Sequence, residues 1–130
     1  MITHNRKWRI PLGAFVGAIG GISLTTSIFP FAVTKIFTYI TFEALLGVLS
    51  FTVPMALLWA IGGGLVGYRG GARAGGLIFG LCGLLAGLIL ALFAAGGDLP
   101  LVAVGGVTGV LYGIPGGLIM GRVFPPLSPT

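Results

Sequence analysis

Four long apolar runs dominate the chain, and the charged residues lie outside them. The runs cover residues 10–33, 44–68, 74–95 and 101–120. Each is long enough to cross the hydrocarbon core of a bilayer, which takes about 20 helical residues. The pattern predicts an all-α integral membrane protein whose four transmembrane helices form one membrane domain, residues 10–122. It leaves a basic tail at residues 1–9 and a proline-rich tail at residues 123–130, which we expect to be extended or disordered.

The composition supports this fold class and argues against a soluble domain. Of the 130 residues, 56% are hydrophobic and only 7% are charged. A soluble fold with so few charged residues could not cover its surface with polar groups. The apolar runs must therefore face lipid or one another.

The charges divide unevenly between the two predicted sides of the membrane. Six of the seven basic residues share one side: Arg6, Lys7, Arg9, Arg69, Arg73 and Arg122. Lys35 lies on the other side with both acidic residues, Glu43 and Asp98. Basic residues favour the cytoplasmic side, so both termini are predicted to be cytoplasmic. We expect a bacterial inner membrane or a thylakoid-type membrane.

The connections between the runs are short and contain helix-start signals. Asp98 and Pro100 precede the fourth run, where the carboxylate is expected to cap the helix and the proline to occupy its first turn. Glu43 precedes the second run and favours the positive end of its helix dipole. Residues 34–42 are predicted to lie along the outer membrane interface.

Glycines recur at roughly four-residue spacing in all four predicted helices. In lipid, helices associate through close backbone approach, and small residues at this spacing permit it. The spacing predicts glycine-mediated packing, as in a glycine zipper. These faces either pack within one bundle or hold a second subunit, a lipid or a carotenoid-like tail. The candidate packing or partner residues are Gly13, Gly17, Gly21, Gly63, Gly67, Gly76, Gly80, Gly83, Gly87, Gly105, Gly109, Gly113 and Gly117.

The second and fourth runs end in similar sequences, which suggests an internal repeat. Residues 61–69 and 114–122 share Ile, two Gly, Leu and Arg at a constant offset of 53 positions. The first and third runs also match, because Gly13, Gly17 and Gly20 are spaced like Gly76, Gly80 and Gly83. The repeat predicts two tandem helical hairpins, with Gly13 and Gly76 at corresponding depths.

The predicted helices contain none of the side chains that membrane catalysis or ion transfer usually requires. No run contains Asp, Glu, Lys, Arg, His, Asn or Gln. Acid–base catalysis and metal sites need positioned or clustered ligating groups, so no enzyme activity, metal or cofactor is expected. His4 is expected to be a solvated tail residue, and Cys82 a small core residue without a base to activate it.

Hydroxyl groups form the main polar feature within the runs. Seven fall in the predicted outer half: Ser23, Thr25, Thr26, Ser27, Ser50, Thr52 and Thr108. They either bond helix carbonyls nearby or line a polar vestibule, opened where Pro54 distorts the second helix. Arg69, Arg73 and Arg122 are predicted to meet lipid phosphates or an acidic partner, or to act only as topological anchors.

These exclusions favour a non-enzymatic protein that acts as an accessory, assembly or scaffold subunit of a larger membrane complex. The expected partners are membrane lipids and other membrane-protein subunits or further copies of this chain, and nucleic acid is not expected. Two alternatives stay open: a small oligomeric channel or transporter with a hydroxyl-lined route, and a holin-like permeabilising protein.

Overall fold

The structure, a computed structural model, describes residues 6–127 and contains no strand in that part of the chain. Helices make up 87% of it. A π-turn, Leu24–Ile28, joins the first two helices. The helices are α1 (Arg6–Ser23), α2 (Phe29–Ile36), α3 (Phe42–Leu49), α4 (Thr52–Arg69), α5 (Ala72–Ala95) and α6 (Leu99–Val123).

Three helical segments are long and apolar enough to cross a membrane. They are Lys7–Ile36, which runs through the π-turn, Ala72–Ala94 and Leu99–Val123. Helices α3 and α4 together form a fourth candidate, which is bent by 47° at the break between them. The chain is therefore an all-α, membrane-embedded protein with three or four candidate spans, and the predicted fold class is confirmed at this level.

The break between α3 and α4 has its cause in Pro54. A proline inside a helix lacks the N–H that would bond the carbonyl four residues earlier, and its ring clashes with that carbonyl. For Pro54 this carbonyl belongs to Ser50, and the helix is interrupted at Ser50 and Phe51. Ser50 then donates its hydroxyl to the Gly47 carbonyl at 2.6 Å, and Thr52 donates to Leu49 at 2.7 Å. The predicted distortion is therefore present.

A second proline explains the π-turn, which the sequence analysis did not anticipate. Pro30 lies in the first turn of α2, directly after the π-turn. The wide turn lets the N–H of Phe29 bond the carbonyl of Leu24, five residues earlier. Thr25 and Thr26 donate their hydroxyls to the carbonyls of Gly21 and Ile22, at 2.9 and 2.8 Å. Such bonds to the preceding turn loosen the helix ladder.

The most extensive helix contacts join α5 to α6 and α1 to α4, while α4 and α5 meet over a smaller area. The start of α1, the end of α4, the start of α5 and the end of α6 come together at one end of the bundle. We call it the basic end, and the described charged residues there are Arg6, Lys7, Arg9, Arg69, Arg73 and Arg122. The opposite, acidic end carries Glu43 and Asp98.

The expectation that Asp98 caps α6 needs correction, whereas Glu43 lies in the first turn of α3 as expected. Asp98 occupies the N-cap position of α6, with Pro100 in the first turn, but its side chain makes no capping bond. Its carboxylate instead accepts a hydrogen bond from the Tyr39 hydroxyl at 2.6 Å, because the loop after α2 crosses to this end of α6. The side-chain cap belongs to Thr41, whose hydroxyl oxygen accepts from the Ala44 N–H at 3.2 Å and so starts α3.

The predicted proline-rich tail also begins differently from the expectation. Val123 is still helical, and Phe124 is only 2% exposed. The Phe124 carbonyl accepts a hydrogen bond from the Gly71 N–H at 2.7 Å. The first residue beyond α6 is therefore packed against the turn between α4 and α5. Residues 128–130, like residues 1–5 with His4, lie outside the described part of the chain.

Candidate functional site

The contact between α1 and α4 is closed by glycines on both helices, and we call it the α1–α4 seam. A Cβ built at Gly13 or Gly17 would collide with the carbonyl of Gly63 or Trp59 on α4. One built at Gly21 would overlap the carbonyl of Met55. From the other side, a Cβ at Gly63 or Gly67 would overlap the carbonyl of Gly13 or Arg9.

The contact between α5 and α6, the α5–α6 seam, is built in the same way. Gly83 faces the Gly109 carbonyl, and Gly87 faces that of Gly105. Near the basic end, Gly117 faces the Gly75 carbonyl. Backbone atoms of one helix occupy the position of a side chain on the other at each of these contacts, so a larger residue there would force α5 and α6 apart.

The remaining predicted glycines in this seam meet α5 backbone or α6 side chains. Gly113 lies against the Phe79 carbonyl. A Cβ on Gly76 would lie 3.0 Å from Leu118 Cδ2, and one on Gly80 would lie 3.0 Å from Ile114 Cγ1. All thirteen predicted packing glycines thus face other parts of this chain. Whether a partner also uses a glycine face stays a prediction.

The two seams differ from the predicted repeat by one residue. Gly13 faces a carbonyl of α4, and the repeat predicts that Gly76 faces a carbonyl of α6 in the same way. In the structure, the α5 residue that does so is Gly75. Likewise, Gly63 is enclosed in its seam, whereas Gly116, 53 positions later, has no atom within 4 Å of a built Cβ. The glycine spacing did not indicate the close contacts of Gly75 and of Gly62, whose built Cβ would lie 2.6 Å from Cys82 Sγ.

An aromatic cluster joins the two helix pairs at mid-height. The Trp59 ring stacks on Phe79 with centroids 5.0 Å apart and planes inclined by 27°, and Tyr112 lies 5.5 Å from Trp59. Trp59 is 2% exposed, and its Nε1 has no acceptor among the described residues. The cluster therefore holds α4, α5 and α6 together by ring packing and not by a hydrogen bond from the indole.

Beside this cluster, the boundary between α1 and α6 is open, and we call it the α1–α6 slot. It consists of two adjoining cavities of about 260 Å³ each, which share Val16, Gly116 and Met120. The upper cavity has the aromatic cluster as its floor, and the lower one ends at Phe124 near the basic end. The other lining residues are Leu12, Ile19, Gly20, Ile119 and Val123.

On the opposite side of the α1–α4 seam lies a wider, shallower groove, the α1–α4 groove. Its volume is about 600 Å³. Small residues form part of its lining, namely Ala14 on α1 with Ala60 and Gly64 on α4. Its larger lining residues are Ile10, Leu57, Ile61, Leu65 and Tyr68. A Cβ on Gly64 would lie 3.7 Å from Ile10, which is ordinary contact, so this glycine is not enclosed by its own chain.

The hydroxyls of the predicted vestibule mostly bond their own helices. Thr25, Thr26, Ser50 and Thr52 each donate to a carbonyl three or four residues earlier. Ser27 lies 3.5 Å from the Thr26 hydroxyl. None of the seven predicted residues, Ser23 and Thr108 included, lines the slot or the groove. A hydroxyl-lined route therefore stays a prediction.

The basic end contains a buried cation that the sequence analysis treated only as a topological charge. Arg9 is 1% exposed, donates from Nη2 to the Pro125 carbonyl at 2.6 Å, and stands 5.7 Å from the Phe124 ring centre. Its Nε has no acceptor among the described residues. Arg69, Arg73 and Arg122 are exposed at the same end. The signal that the sequence offered for this burial was that Arg9 lies one helical turn before Gly13, the first of the regularly spaced glycines.

At the acidic end, Tyr39 and Asp98 border a small cavity of about 230 Å³ that Thr41 and Ala44 also line. The hydrogen bond to Asp98, with a smaller effect from burial and from the carboxylate charge, raises the pKa of the Tyr39 phenol above its ordinary value of 10.0. The described residues contain no group of three His, Cys, Asp or Glu side chains that could hold a metal ion.

Comparison with known proteins identifies no relative. No family model matches the chain, and no curated protein or solved structure is significantly similar to it. Function must therefore be inferred from the seams, the slot and the groove themselves.

Proposed function

We propose that this protein is a non-catalytic accessory or assembly subunit that binds a transmembrane helix of a larger membrane complex in its α1–α4 groove. The observation that carries the proposal is the groove itself. Ala14, Ala60 and Gly64 form small-residue lining on a lipid-accessible face, outside both seams. Because lipid offers little drive for helices to associate, small residues that admit another backbone favour a helix partner.

The shape of the groove favours a different chain over a second copy. A two-fold dimer places the same patch of both subunits in contact. Two concave grooves facing each other would leave a gap along Ala60 and Gly64, whereas a single partner helix can enter between the rims. Two residues at the edge of the groove, Leu57 and Ile61, are 62% and 66% exposed. Both would pack against the partner helix.

We also propose that the chain is built as two tandem helical hairpins closed by glycines, α1 with α4 and α5 with α6. The close approaches at Gly13, Gly63, Gly83 and Gly109 support this architecture. We propose that the basic end is cytoplasmic, in a bacterial inner or thylakoid-type membrane, because basic residues are retained on that side. A reporter fused at Thr130 that is active only outside the cytoplasm would contradict this orientation.

The function is tested by filling the groove in the intact protein. Gly64→Leu adds bulk where a Cβ would make only ordinary contacts, and Gly116→Leu adds the same bulk at an open position on the other face. After gentle extraction, we expect one membrane subunit to co-purify with the parent and with Gly116→Leu and to be lost from Gly64→Leu. Helicity by circular dichroism should be unchanged in all three.

Two results would overturn the proposal. One is retention of the same subunit by Gly64→Leu, which would place the partner elsewhere. The other is a homogeneous homo-oligomer that conducts ions in liposomes, which would favour the oligomeric channel.

A further inference from the structure

The α1–α6 slot has the dimensions of a site for a single hydrocarbon chain. Its lining runs from Tyr112 to Phe124, which corresponds to roughly 18 Å along α6 at a rise of about 1.5 Å per residue. Two cavities of about 260 Å³ over this length give a mean cross-section of about 30 Å². The slot is more enclosed than the shallower α1–α4 groove. Its shape therefore favours a thin hydrocarbon chain over a helix about 10 Å wide.

The wall of the slot is apolar and open to the bilayer. Val16 and Ile19 on α1 are 44% and 51% exposed, and no charged side chain lines either cavity. Gly116 is exposed and has no neighbour within 4 Å of a built Cβ, so its missing side chain contributes to the opening. An apolar chain in this position would exchange lipid contacts for contacts with the aromatic cluster.

The lower end of the slot meets a concentration of positive charge. Val123 and Phe124 line it, Arg122 is exposed next to Val123, and the Arg9 guanidinium lies 5.7 Å from the Phe124 ring centre. The two acidic residues of the whole chain, Glu43 and Asp98, are at the opposite end. A molecule whose chain lies in the slot would therefore place its head group beside cations that no Asp or Glu side chain of the described residues neutralises.

We propose that the α1–α6 slot binds one acyl chain of an anionic phospholipid, with the lipid phosphate at Arg122. The narrow cross-section selects a chain, and the charge at the lower end selects a negative head group. This site lies on the opposite side of the α1–α4 seam from the partner groove, so the two proposals stand or fall separately.

Quenching of Trp59 by brominated lipid tests the site, because Trp59 is part of the slot floor. The chain has two tryptophans, and Trp8→Phe leaves Trp59 as the only one. The protein is reconstituted in phosphatidylcholine vesicles with a minor fraction of lipid brominated in mid-chain, either phosphatidylglycerol or phosphatidylcholine. We expect about fivefold preferential quenching by the anionic lipid, the preference that one surface arginine supplies.

Three further variants locate the lipid, all made in the Trp8→Phe background. Gly116→Phe fills the slot and should abolish the preferential quenching, and Gly47→Phe, at an equally open glycine on α3, should leave it intact. Arg122→Gln should make the two brominated lipids quench equally. Circular dichroism checks that each variant keeps its helices, and Gly116→Leu replaces Gly116→Phe if the larger ring disturbs them.

Two outcomes would overturn the inference. Equal quenching by both brominated lipids in the Trp8→Phe parent would remove the anionic selectivity. Unchanged preferential quenching in the folded Gly116 variant would show that the anionic lipid reaches Trp59 by a path other than the slot.

Discussion

Gly116 and Gly117 are neighbours in sequence, yet they lie in opposite environments. A Cβ at Gly117 would overlap the Gly75 carbonyl in the α5–α6 seam, while a Cβ at Gly116 would meet nothing within 4 Å beside the α1–α6 slot. One residue turns the helix by about 100°, because an α-helix has about 3.6 residues per turn. The contrast shows that glycines on one helix occupy two environments, one enclosed by a neighbouring backbone and one open, and that glycine content alone does not separate them.

The comparison is tested most severely by leucine substitutions on the two sides of α6. Gly109→Leu would force a side chain into the Gly83 carbonyl, and α5 and α6 would have to separate. Overpacking of this kind typically costs about 1–3 kcal/mol, and a backbone obstacle favours the upper end. We expect Gly116→Leu to change the free energy of unfolding by less than about 0.5 kcal/mol, as surface substitutions usually do.

The measurement is reversible unfolding in mixed micelles, followed by circular dichroism. Equal destabilisation by the two leucines would mean that the slot is closed in the folded protein, and that the distinction between seam and slot is invalid. A stable Gly109→Leu variant would instead indicate that α5 and α6 do not approach closely.

The second prediction concerns the aromatic cluster between the helix pairs. Trp59→Ala removes the ring that stacks on Phe79 and contacts Tyr112. Large aromatic truncations in soluble cores cost about 3–5 kcal/mol, and we expect about 2–3 kcal/mol here because lipid lowers the transfer contribution. Trp59→Phe should cost much less, since the lost indole N–H has no acceptor among the described residues.

Unfolding of Trp59→Phe beside Trp59→Ala separates ring packing from hydrogen bonding. A similar loss in both variants would mean that the indole N–H has an important partner. Such a result would place a polar ligand at the cluster and would change the chemistry expected of the slot.

The third prediction concerns the buried cation at the basic end. Arg9→Met keeps an unbranched side chain but removes the bond to the Pro125 carbonyl. Hydrogen bonds from charged groups contribute about 1.5–3 kcal/mol, and relief of the buried charge offsets part of this, so we expect a net loss of about 1 kcal/mol. The Gly71 N–H, which bonds the Phe124 carbonyl, should exchange with deuterium faster.

Arg73→Met is the matched control, because Arg73 is exposed at the same end of the bundle. It should leave exchange at Gly71 unchanged. If both variants behave alike, the packing of Phe124 does not depend on the Arg9 guanidinium.

The sequence predicted the parts of this fold that depend on long, regular patterns. Apolar run length indicated the spans, and Pro54 indicated the break at Ser50, because both act through local backbone physics. The spacing of the glycines identified residues such as Gly13 and Gly109, which face neighbouring helices. The same spacing included Gly117 and left out Gly116, but it could not show what Gly116 faces, since that depends on the rotation of α6 relative to α1.

Features that depend on contacts distant in sequence could not be predicted. Arg9 and Pro125 are 116 positions apart, and Tyr39 and Asp98 are 59 apart. Nothing local to Asp98 indicated that its carboxylate would bond a phenol in another loop instead of capping α6. The slot was missed for the same reason, because α1 and α6 contribute its walls from opposite ends of the chain.

The smallest predicted effect lies at the acidic end, away from both the seams and the slot. The Tyr39 hydroxyl donates to Asp98, which favours the neutral phenol and raises the pKa of Tyr39 above 10.0. The stabilisation that this hydrogen bond gives the folded protein is therefore fully present below pH 10 and is lost as the pH rises through the raised pKa of Tyr39.

An absorbance titration of the phenolate checks this, and the contribution of Tyr39 is identified as the signal that Tyr39→Phe removes. We expect the midpoint of that signal above pH 10, and we expect Asp98→Asn to lower it. Neither variant should alter Trp59 quenching or partner retention. A Tyr39 midpoint at or below 10 would mean that the loop after α2 does not contact α6, and a change in Trp59 quenching would show that the acidic end and the slot are coupled.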